Sequence, residues 1–368
     1  MKTTILIILA FFIGHPSPKK SESGLFRGDQ PLSGTLQESV PAKPKLLWTF
    51  KTEDEIKASP VVFDDKMVVG STDGFVYCLD LKGNLMWKFN TENPIEAPAL
   101  ILDGTVYVGN LYGNFYALNL TDGKVKWKYL TEGQISGSAN WWRSGSQTRI
   151  LVGSYDYYLH CIDATTGKGI WKYESDNFIN GAASVADNLA IFGGCDGFLH
   201  LVDITTGKAI TKIDVSTYVP GSVPVSKNMA VVGDYDGGVT CIDLIEKKNR
   251  WKYLNDKVQL PFVASAAIQS DKVVTGSRDK QVYCFDLQNG SILWKYHTGE
   301  KVDASPLIAR NTVVITNMRG DLIFLNLANG KLLWSYEIGS PISSNPAISN
   351  SRIFLGASDG NVYCFGKS

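Results

Sequence analysis

Residues 117–127 read ALNLTDGKVKW, and residues 161–171 repeat the pattern as CIDATTGKGIW. The tryptophan that ends this pattern recurs at intervals of 39 to 44 residues, apart from one interval of 80. The recurring residues are Trp48, Trp87, Trp127, Trp171, Trp251, Trp294 and Trp334. Thr211 takes the equivalent place within the long interval. The chain therefore contains eight copies of one unit of about forty residues, a period typical of propellers and solenoids.

Each unit reads as four short strands. Residues 59–89, for example, contain four runs of four to six residues that are rich in β-branched and aromatic types, and Asp, Asn and Gly separate the runs. Four strands in about forty residues are typical of one propeller blade. The sequence thus predicts an all-β fold, an eight-bladed β-propeller of four-stranded antiparallel blades.

The two ends of the repeat region complement each other. Residues 46–50 form a fourth strand without the three that should precede it, and the last unit, residues 346–365, has three strands without a fourth. We expect the N-terminal strand to complete the last blade, because this pairing removes two open sheet edges. The predicted propeller spans residues 45–368.

The N-terminus indicates export. Lys2 precedes an apolar run at residues 5–13, which is too short to span a bilayer and resembles the core of a secretory signal peptide. We assign residues 1–16 to that signal and residues 17–44, which are polar and proline-rich, to a flexible leader. No other segment is apolar enough to cross a membrane, so the mature chain is expected to have no transmembrane segment. Residues 26–29 of the leader are a candidate for docking on the propeller.

Charge and cysteine content narrow the classes of function. Lys and Arg total 36 and Asp and Glu total 36, so nothing favours a nucleic acid as partner. Five of the six cysteines occupy one equivalent strand position in different blades, too far apart for disulfides. His160 and His200 also occupy equivalent positions and are interpreted as strand residues.

The pattern at 77–87, 117–127 and 161–171 resembles the PQQ-like repeat with its tryptophan-docking motif, and the resemblance covers about residues 45–366. It implies the propeller fold and two alternative branches of function. One comprises quinoprotein dehydrogenases, which hold pyrroloquinoline quinone and calcium over the axis. The other is non-catalytic and is similar to the lipoprotein of the outer-membrane β-barrel assembly machinery, to which this chain is nearest in size. The lipobox cysteine of that lipoprotein is missing here.

Two sets of residues depart from the repeat and are candidate sites. Arg278 and Arg319 lie in turns between second and third strands, where other units carry Asp, and a quinone's carboxylates would bind such arginines. The second set is a candidate surface for partners, because it combines an insertion in unit three with nearby aromatic residues. It comprises Trp141, Trp142, Arg143, Tyr155 and Tyr157.

The leading hypothesis is a monomeric, non-catalytic scaffold of the bacterial envelope, in the periplasm or at the periphery of the outer membrane. It would bind protein partners or peptides through one propeller face, without a cofactor. The alternatives are a sugar or alcohol dehydrogenase that depends on pyrroloquinoline quinone and calcium, and a carbohydrate- or cell-wall-binding module. No catalytic or metal-binding residues stand out from the sequence.

Overall fold

The computed structural model describes residues 23–255 and 257–367. Within these ranges the chain forms 34 β-strands and no helix, so none of the described residues builds a helix that could cross a membrane. The predicted signal peptide, residues 1–16, lies outside the described residues.

The strands form eight radial sheets, or blades, each a four-stranded antiparallel meander. Preceding the first blade are β1 (Ser23–Gly24), β2 (Thr35–Leu36) and β3 (Lys45–Lys51). Blades 1 to 4 contain, in order, β4 (Val61–Phe63), β5 (Lys66–Gly70), β6 (Phe75–Asp80), β7 (Leu85–Asn90); β8 (Leu100–Leu102), β9 (Thr105–Gly109), β10 (Asn114–Asn119), β11 (Val125–Leu130); β12 (Asn140–Ser144), β13 (Gln147–Gly153), β14 (Tyr158–Asp163), β15 (Gly169–Glu174); β16 (Ser184–Ala186), β17 (Leu189–Gly193), β18 (Phe198–Asp203) and β19 (Ala209–Asp214).

Blades 5 to 8 repeat this order. They contain β20 (Val225–Ser226), β21 (Met229–Gly233), β22 (Gly238–Asp243), β23 (Lys248–Leu254); β24 (Ala267–Gln269), β25 (Lys272–Gly276), β26 (Gln281–Asp286), β27 (Ile292–His297); β28 (Leu307–Ala309), β29 (Thr312–Thr316), β30 (Asp321–Asn326), β31 (Leu332–Glu337); β32 (Ala347–Ser349), β33 (Arg352–Gly356) and β34 (Asn361–Gly366). Blade 8 takes its fourth strand from the N-terminal side, because β3 pairs with β34 and places Trp48 opposite Cys364. The predicted eight-bladed propeller and its closure are therefore confirmed.

The meander gives the propeller two different faces. We call the face that carries the turns between second and third strands, together with the connections between blades, the upper face. The opposite face carries the turns between first and second strands and between third and fourth strands, and we call it the lower face.

The repeated tryptophan fastens neighbouring blades to each other. The Trp87 indole N–H donates to the carbonyl of Leu120 at 2.9 Å, and a Cβ on Gly123 would lie 2.7 Å from the indole ring. Only glycine leaves room for the ring at this turn, and its φ of +71° is also the left-handed conformation that glycine favours. Where Thr211 replaces the tryptophan, the next turn carries Lys247 instead of glycine. The tryptophan and the glycine of the repeat thus form one packing unit.

Small residues of the first strands surround the central channel. The Ser222 N–H donates to Ser265 Oγ and the Ser265 N–H to Ser305 Oγ, both at 2.9 Å. The Asn345 N–H donates to Ser59 Oγ at the same distance. Hydroxyl groups therefore bond one blade to the next at the axis, where larger side chains would keep the sheets apart.

Residues 23–44 are not a flexible leader in the structure. They run around the channel at the lower face, where β1 pairs antiparallel with β8 and β2 pairs parallel with β28. Arg27 is buried and its Nε donates to the Leu32 carbonyl at 3.0 Å, while Leu32 itself is fully buried. The polar composition of this segment predicts flexibility, but composition does not reveal the backbone contacts and the few buried apolar side chains that hold the segment in place. Residues 26–29 do dock on the propeller, with Gly28 and Asp29 in a tight turn.

Candidate functional site

The upper face divides into two halves of different composition. Blades 2 to 5 contribute eight segments that contain eight Asp or Glu residues, six Tyr or Phe residues and no Lys, Arg or His. We call them the aromatic half: residues 91–97, 110–113, 131–138, 154–157, 175–182, 194–197, 215–222 and 234–237. The equivalent segments of blades 6, 7, 8 and 1 contain six Lys or Arg residues and no aromatic residue. We call these the mixed half, of which the structure describes residues 52–58, 71–74, 255, 257–261, 277–280, 298–304, 317–320, 338–344 and 357–360.

The aromatic side chains of the aromatic half are unusually exposed. Tyr112 is 73% exposed and Tyr218 is 53% exposed, while Tyr235, Tyr157 and Phe178 range from 44% to 38%. Exposed tyrosines are enriched in protein interfaces because the ring is apolar and rigid and the hydroxyl can bond to water or to a partner. Their concentration on one half of one face therefore marks a candidate interface.

A stacked cluster lies near the middle of the aromatic half. The rings of Tyr155 and Phe178 stack with centroids 4.8 Å apart, and Tyr157 packs against Phe178 at 5.3 Å. The Tyr155 N–H donates to the Gln134 carbonyl, which fixes its turn to the connection between blades 2 and 3. Stacking holds these rings in place before any partner arrives and lowers the entropy lost on binding.

Buried histidines support the turns beneath this cluster. His160 Nε2 lies 3.0 Å from Asp156 Oδ2, and its Nδ1 lies 3.1 Å from the Tyr129 hydroxyl of the preceding blade. Burial acts to raise the pKa of Asp156, but the His160 interaction and two backbone N–H donors outweigh it and hold the pKa at about 2. His200 and Asp196 repeat the arrangement at 2.8 Å. Both histidines are strand residues that order a turn, as the sequence indicates.

In the mixed half both arginines pair with carboxylates of the chain itself. Arg278 donates from two nitrogens to the two carboxylate oxygens of Asp303, each at 3.0 Å, and this pairing raises the pKa of the guanidinium. Arg319 donates to Asp321 at 2.9 Å and to the Thr298 carbonyl at 3.1 Å. Arg278 and Arg319 therefore lie in adjacent blades, each bonded to its own carboxylate.

The turn aspartates and the cysteines are the remaining candidates for metal or redox chemistry. Among residues 23–255 and 257–367, no three His, Cys, Asp or Glu side chains converge as metal ligands. The turn aspartates are held by their own backbone, as when Asp73 accepts the Phe75 N–H at 2.9 Å. All six cysteines are free, and burial raises the pKa of the five buried thiols to about 12. Such thiols act as small apolar side chains.

The candidate partner-binding residues of unit three separate onto opposite faces. Tyr155 and Tyr157 lie on the upper face, whereas Trp141, Trp142 and Arg143 lie in β12, which ends at the lower face. Both tryptophans are only 8% exposed. Trp142 donates to Asn188 of the next blade at 3.1 Å, so it packs between blades 3 and 4.

Four exposed aromatic residues on the upper face are absent from the candidates that the sequence indicates. They are Tyr112, Phe178, Tyr218 and Tyr235. Each occurs in a turn or a connection of the repeat, and no residue of the equivalent segments in the mixed half is aromatic. Comparing the eight copies position by position would have revealed this signal, because equivalent turn positions meet on one face.

The fold and the tryptophan-docking turns are those of a PQQ-like propeller. The family model described as outer membrane protein assembly factor BamB matches residues 34–142, 136–210 and 195–368. The chain therefore belongs to this family. No curated protein matches the sequence.

Solved structures share the fold at low identity. BamB from Moraxella catarrhalis is 19% identical with a TM-score of 0.74, and the match covers 88% of this chain and 98% of that one. A europium-containing methanol dehydrogenase is 12% identical with a TM-score of 0.74, covering 93% and 97%. The quinohemoprotein alcohol dehydrogenase from Comamonas testosteroni is 14% identical with a TM-score of 0.75, covering 93% and 80%. At these identities the likeness concerns the fold alone.

Proposed function

We propose that the chain is a non-catalytic scaffold of the bacterial cell envelope that binds protein partners through the aromatic half of its upper face. The observation that carries this proposal is the set of exposed aromatic side chains, of which Tyr112 and Tyr218 are the most exposed. Aromatic residues dominate the binding energy of protein interfaces. Membership of the BamB family supports a role in assembling other proteins and a location outside the cytoplasm.

Charge also favours a protein partner over a quinone. The two arginines that would bind quinone carboxylates are each bonded to a carboxylate of the chain, Asp303 or Asp321. A quinone would have to displace those ion pairs. The geometry thus supports binding better than it supports redox chemistry.

Site-specific photo-crosslinking in the producing cell tests the proposal. A photoreactive phenylalanine analogue replaces Tyr112 or Tyr218 in the aromatic half, and Arg319 or Lys301 at the equivalent positions of the mixed half. Discrete adducts with other polypeptides are expected only from the aromatic half. Equal adducts from both halves, or none from either, would contradict the proposal.

A second measurement addresses the dehydrogenase alternative. The purified exported chain is mixed with pyrroloquinoline quinone and calcium, and dye reduction is followed with sugars and alcohols as substrates. We expect no saturable change in visible absorption and no dye reduction. A saturable change accompanied by dye reduction would overturn the scaffold proposal.

A further inference from the structure

The aromatic half carries charge of one sign. Its segments contain eight Asp or Glu residues and no cation, although the whole chain has 36 cationic and 36 acidic residues. Five of the eight carboxylates contact a basic side chain of the chain itself. The contacts are Glu96 to Lys57 at 3.0 Å, Asp176 to Lys212 at 2.7 Å, Asp234 to Lys252 at 3.8 Å, Asp156 to His160 at 3.0 Å and Asp196 to His200 at 2.8 Å.

The three remaining carboxylates belong to Glu92, Glu132 and Asp236, and all three residues are exposed. Within the part of the chain that the structure describes, none of these carboxylates has a hydrogen-bond or ion-pair partner. We call them the free carboxylates. They leave negative charge on the aromatic half that the chain itself does not neutralise.

Two of the free carboxylates flank the most exposed ring of the face. Tyr112 lies in a turn that backbone hydrogen bonds hold between two connections, one carrying Glu92 and the other Glu132. These bonds run from Leu111 to Pro94 and from Thr131 to Gly113, each at 2.9 Å. An exposed ring and two unpaired carboxylates therefore lie on neighbouring segments of one surface.

The third free carboxylate lies beside two other exposed rings. The Tyr235 N–H donates to the Tyr218 carbonyl at 3.3 Å, which brings these two tyrosines onto adjacent segments. Asp236 follows Tyr235 directly in the same turn. The combination of exposed rings and an unpaired carboxylate thus occurs at both ends of the aromatic half, in blade 2 and in blade 5.

The molecule itself shows how such a combination holds a cation. Arg278, at the border with the mixed half, donates to both carboxylate oxygens of Asp303 at 3.0 Å. The pKa of its guanidinium is raised chiefly by Asp303 and to a smaller degree by Tyr235. Lys172 Nζ likewise lies over the ring of Tyr158, 5.4 Å from its centroid. A carboxylate and an aromatic ring are both groups that attract a guanidinium or an ammonium group.

We propose that the partner of the aromatic half presents a polypeptide segment rich in Arg and Lys. This inference rests on the proposed function and specifies the chemistry of the partner. The cationic side chains pair with the free carboxylates and pack their stems on the exposed rings. An acidic segment would be repelled, because the aromatic half offers it no cation. Complementary charge also accelerates association and selects among partners.

Fluorescence anisotropy with three defined peptides tests the proposal on the purified exported chain. The probes are short labelled peptides of equal length in which Ala alternates with Arg, with Gln or with Glu. We expect the Arg peptide to bind saturably, the Gln peptide to bind about tenfold more weakly or worse, and the Glu peptide not to bind. The affinity for the Arg peptide should fall as the ionic strength rises.

Matched charge variants locate the effect. Glu92→Gln/Glu132→Gln/Asp236→Asn removes the free carboxylates and should weaken binding of the Arg peptide by about tenfold or more. The control Glu53→Gln/Asp54→Asn/Glu55→Gln removes three charges from the mixed half, where Glu53 is equivalent to Glu92, and should retain the affinity within about twofold. Both variants should keep the melting temperature of the parent, because the substituted side chains are at the surface.

The outcomes separate this proposal from the proposed function. Loss of Arg-peptide binding in the free-carboxylate variant alone supports the proposal. Equal losses in both charge variants would overturn it, because the peptide would then respond to the overall charge. If the three peptides bind alike and all weaken in Tyr112→Ala/Tyr218→Ala, the basic segment is refuted while the aromatic half still binds polypeptides. No saturable binding of the Arg peptide would also refute the basic segment, and the crosslinks from Tyr112 and Tyr218 would decide the proposed function separately.

Discussion

The two halves of the upper face are built from the same turns yet expose different chemistry. At the second position of the turn between strands two and three, blades 3 and 5 carry Tyr155 and Tyr235, whereas blade 6 carries Arg278. The arginine is neutralised by Asp303 of the same chain, while Tyr235 remains 44% exposed. The arginines of the mixed half are therefore paired within the chain, whereas the aromatic rings of the aromatic half remain exposed to solvent.

This difference separates turn positions whose side chains stabilise the fold from turn positions whose side chains can bind a partner. An ion pair at the rim, with both side chains partly exposed, adds at most about 1 kcal/mol to stability but leaves no strong feature for a partner. Exposed aromatic rings contribute little to the fold and much to association. The same scaffold position can thus serve stability in one blade and recognition in another.

The largest effect is expected from removing the aromatic surface. The triple variant Tyr112→Ala/Tyr218→Ala/Tyr235→Ala should lower the yield of photo-crosslinks from position 157 by about thirtyfold or more, since one buried aromatic anchor contributes about 2 kcal/mol. The measurement is the adduct yield at equal protein level. The matched control in the mixed half is Lys301→Ala/Arg319→Ala/Ser358→Ala, which should retain the yield within twofold. A similar fall in both variants would remove the distinction between the halves.

A smaller effect is expected from the carboxylate that orders the Tyr155–Tyr157 turn. Asp156→Asn should lower the free energy of unfolding at pH 7 by about 1–2 kcal/mol, because the carboxylate accepts hydrogen bonds from His160 and two backbone N–H groups. The folded pKa of about 2 lies below the unfolded value of 3.8. This stabilisation is therefore present above pH 3.8 and is lost as the pH falls through about 2.

Urea unfolding at pH 7 and at low pH measures the effect of Asp156→Asn. The difference between variant and parent should shrink towards zero near pH 2. Asp236→Asn is the control within the same half, because Asp236 is exposed, and it should change the unfolding free energy by less than about 0.5 kcal/mol. A loss for Asp156→Asn that does not vary with pH would exclude the charge as its cause.

The fold could be predicted from the sequence because the repeat is periodic. The tryptophan spacing determined the number of blades, and the unmatched strand at residues 46–50 identified the closure that β3 and β34 form. The prediction of a flexible leader was wrong for residues 23–44, because composition reflects side chains, whereas this segment binds the propeller largely through backbone carbonyls such as those of Pro31 and Ser33. Backbone recognition leaves little trace in composition.

The candidate interface was harder to predict than the fold. Tyr112 and Tyr235 are 123 positions apart in the sequence, and only the arrangement of blades places their turns on one half of a face. Trp141 and Trp142 looked like surface residues because they lie beside an insertion, yet the neighbouring blades bury them. Local sequence context identified unusual residues but not the face on which each would lie.

The smallest effect is expected from a buried carboxylate in the aromatic half, at a position where no blade of the mixed half carries a carboxylate. Asp234 opens the turn of blade 5, and its Oδ2 is buried without a hydrogen-bond partner, with Lys252 Nζ at 3.8 Å. Blade 7 carries Asn317 at this position, and its amide donates to the Thr298 carbonyl at 3.4 Å. An amide in blade 5 should therefore be better satisfied than a carboxylate, and Asp234→Asn should raise the free energy of unfolding at pH 7 by about 0.5–1 kcal/mol.

The pH dependence of this gain follows from burial, which raises the pKa of Asp234 above 3.8. The folded state holds the proton more tightly than the unfolded state, so the cost of the carboxylate is absent below pH 3.8 and grows as the pH rises through the folded pKa. The gain in Asp234→Asn should accordingly be largest at pH 7 and disappear below pH 3.8 in urea titrations.

The reverse substitution in the mixed half, Asn317→Asp, should lower the free energy of unfolding at pH 7. It would place a second carboxylate beside Asp321, which now accepts a hydrogen bond from the Asn317 amide at 2.7 Å. If Asp234→Asn instead destabilised the chain at pH 7, the attraction between Asp234 and Lys252 would contribute more to stability than the unpaired Oδ2 costs. The carboxylate in blade 5 would then suit its site as well as the amide suits its site in blade 7.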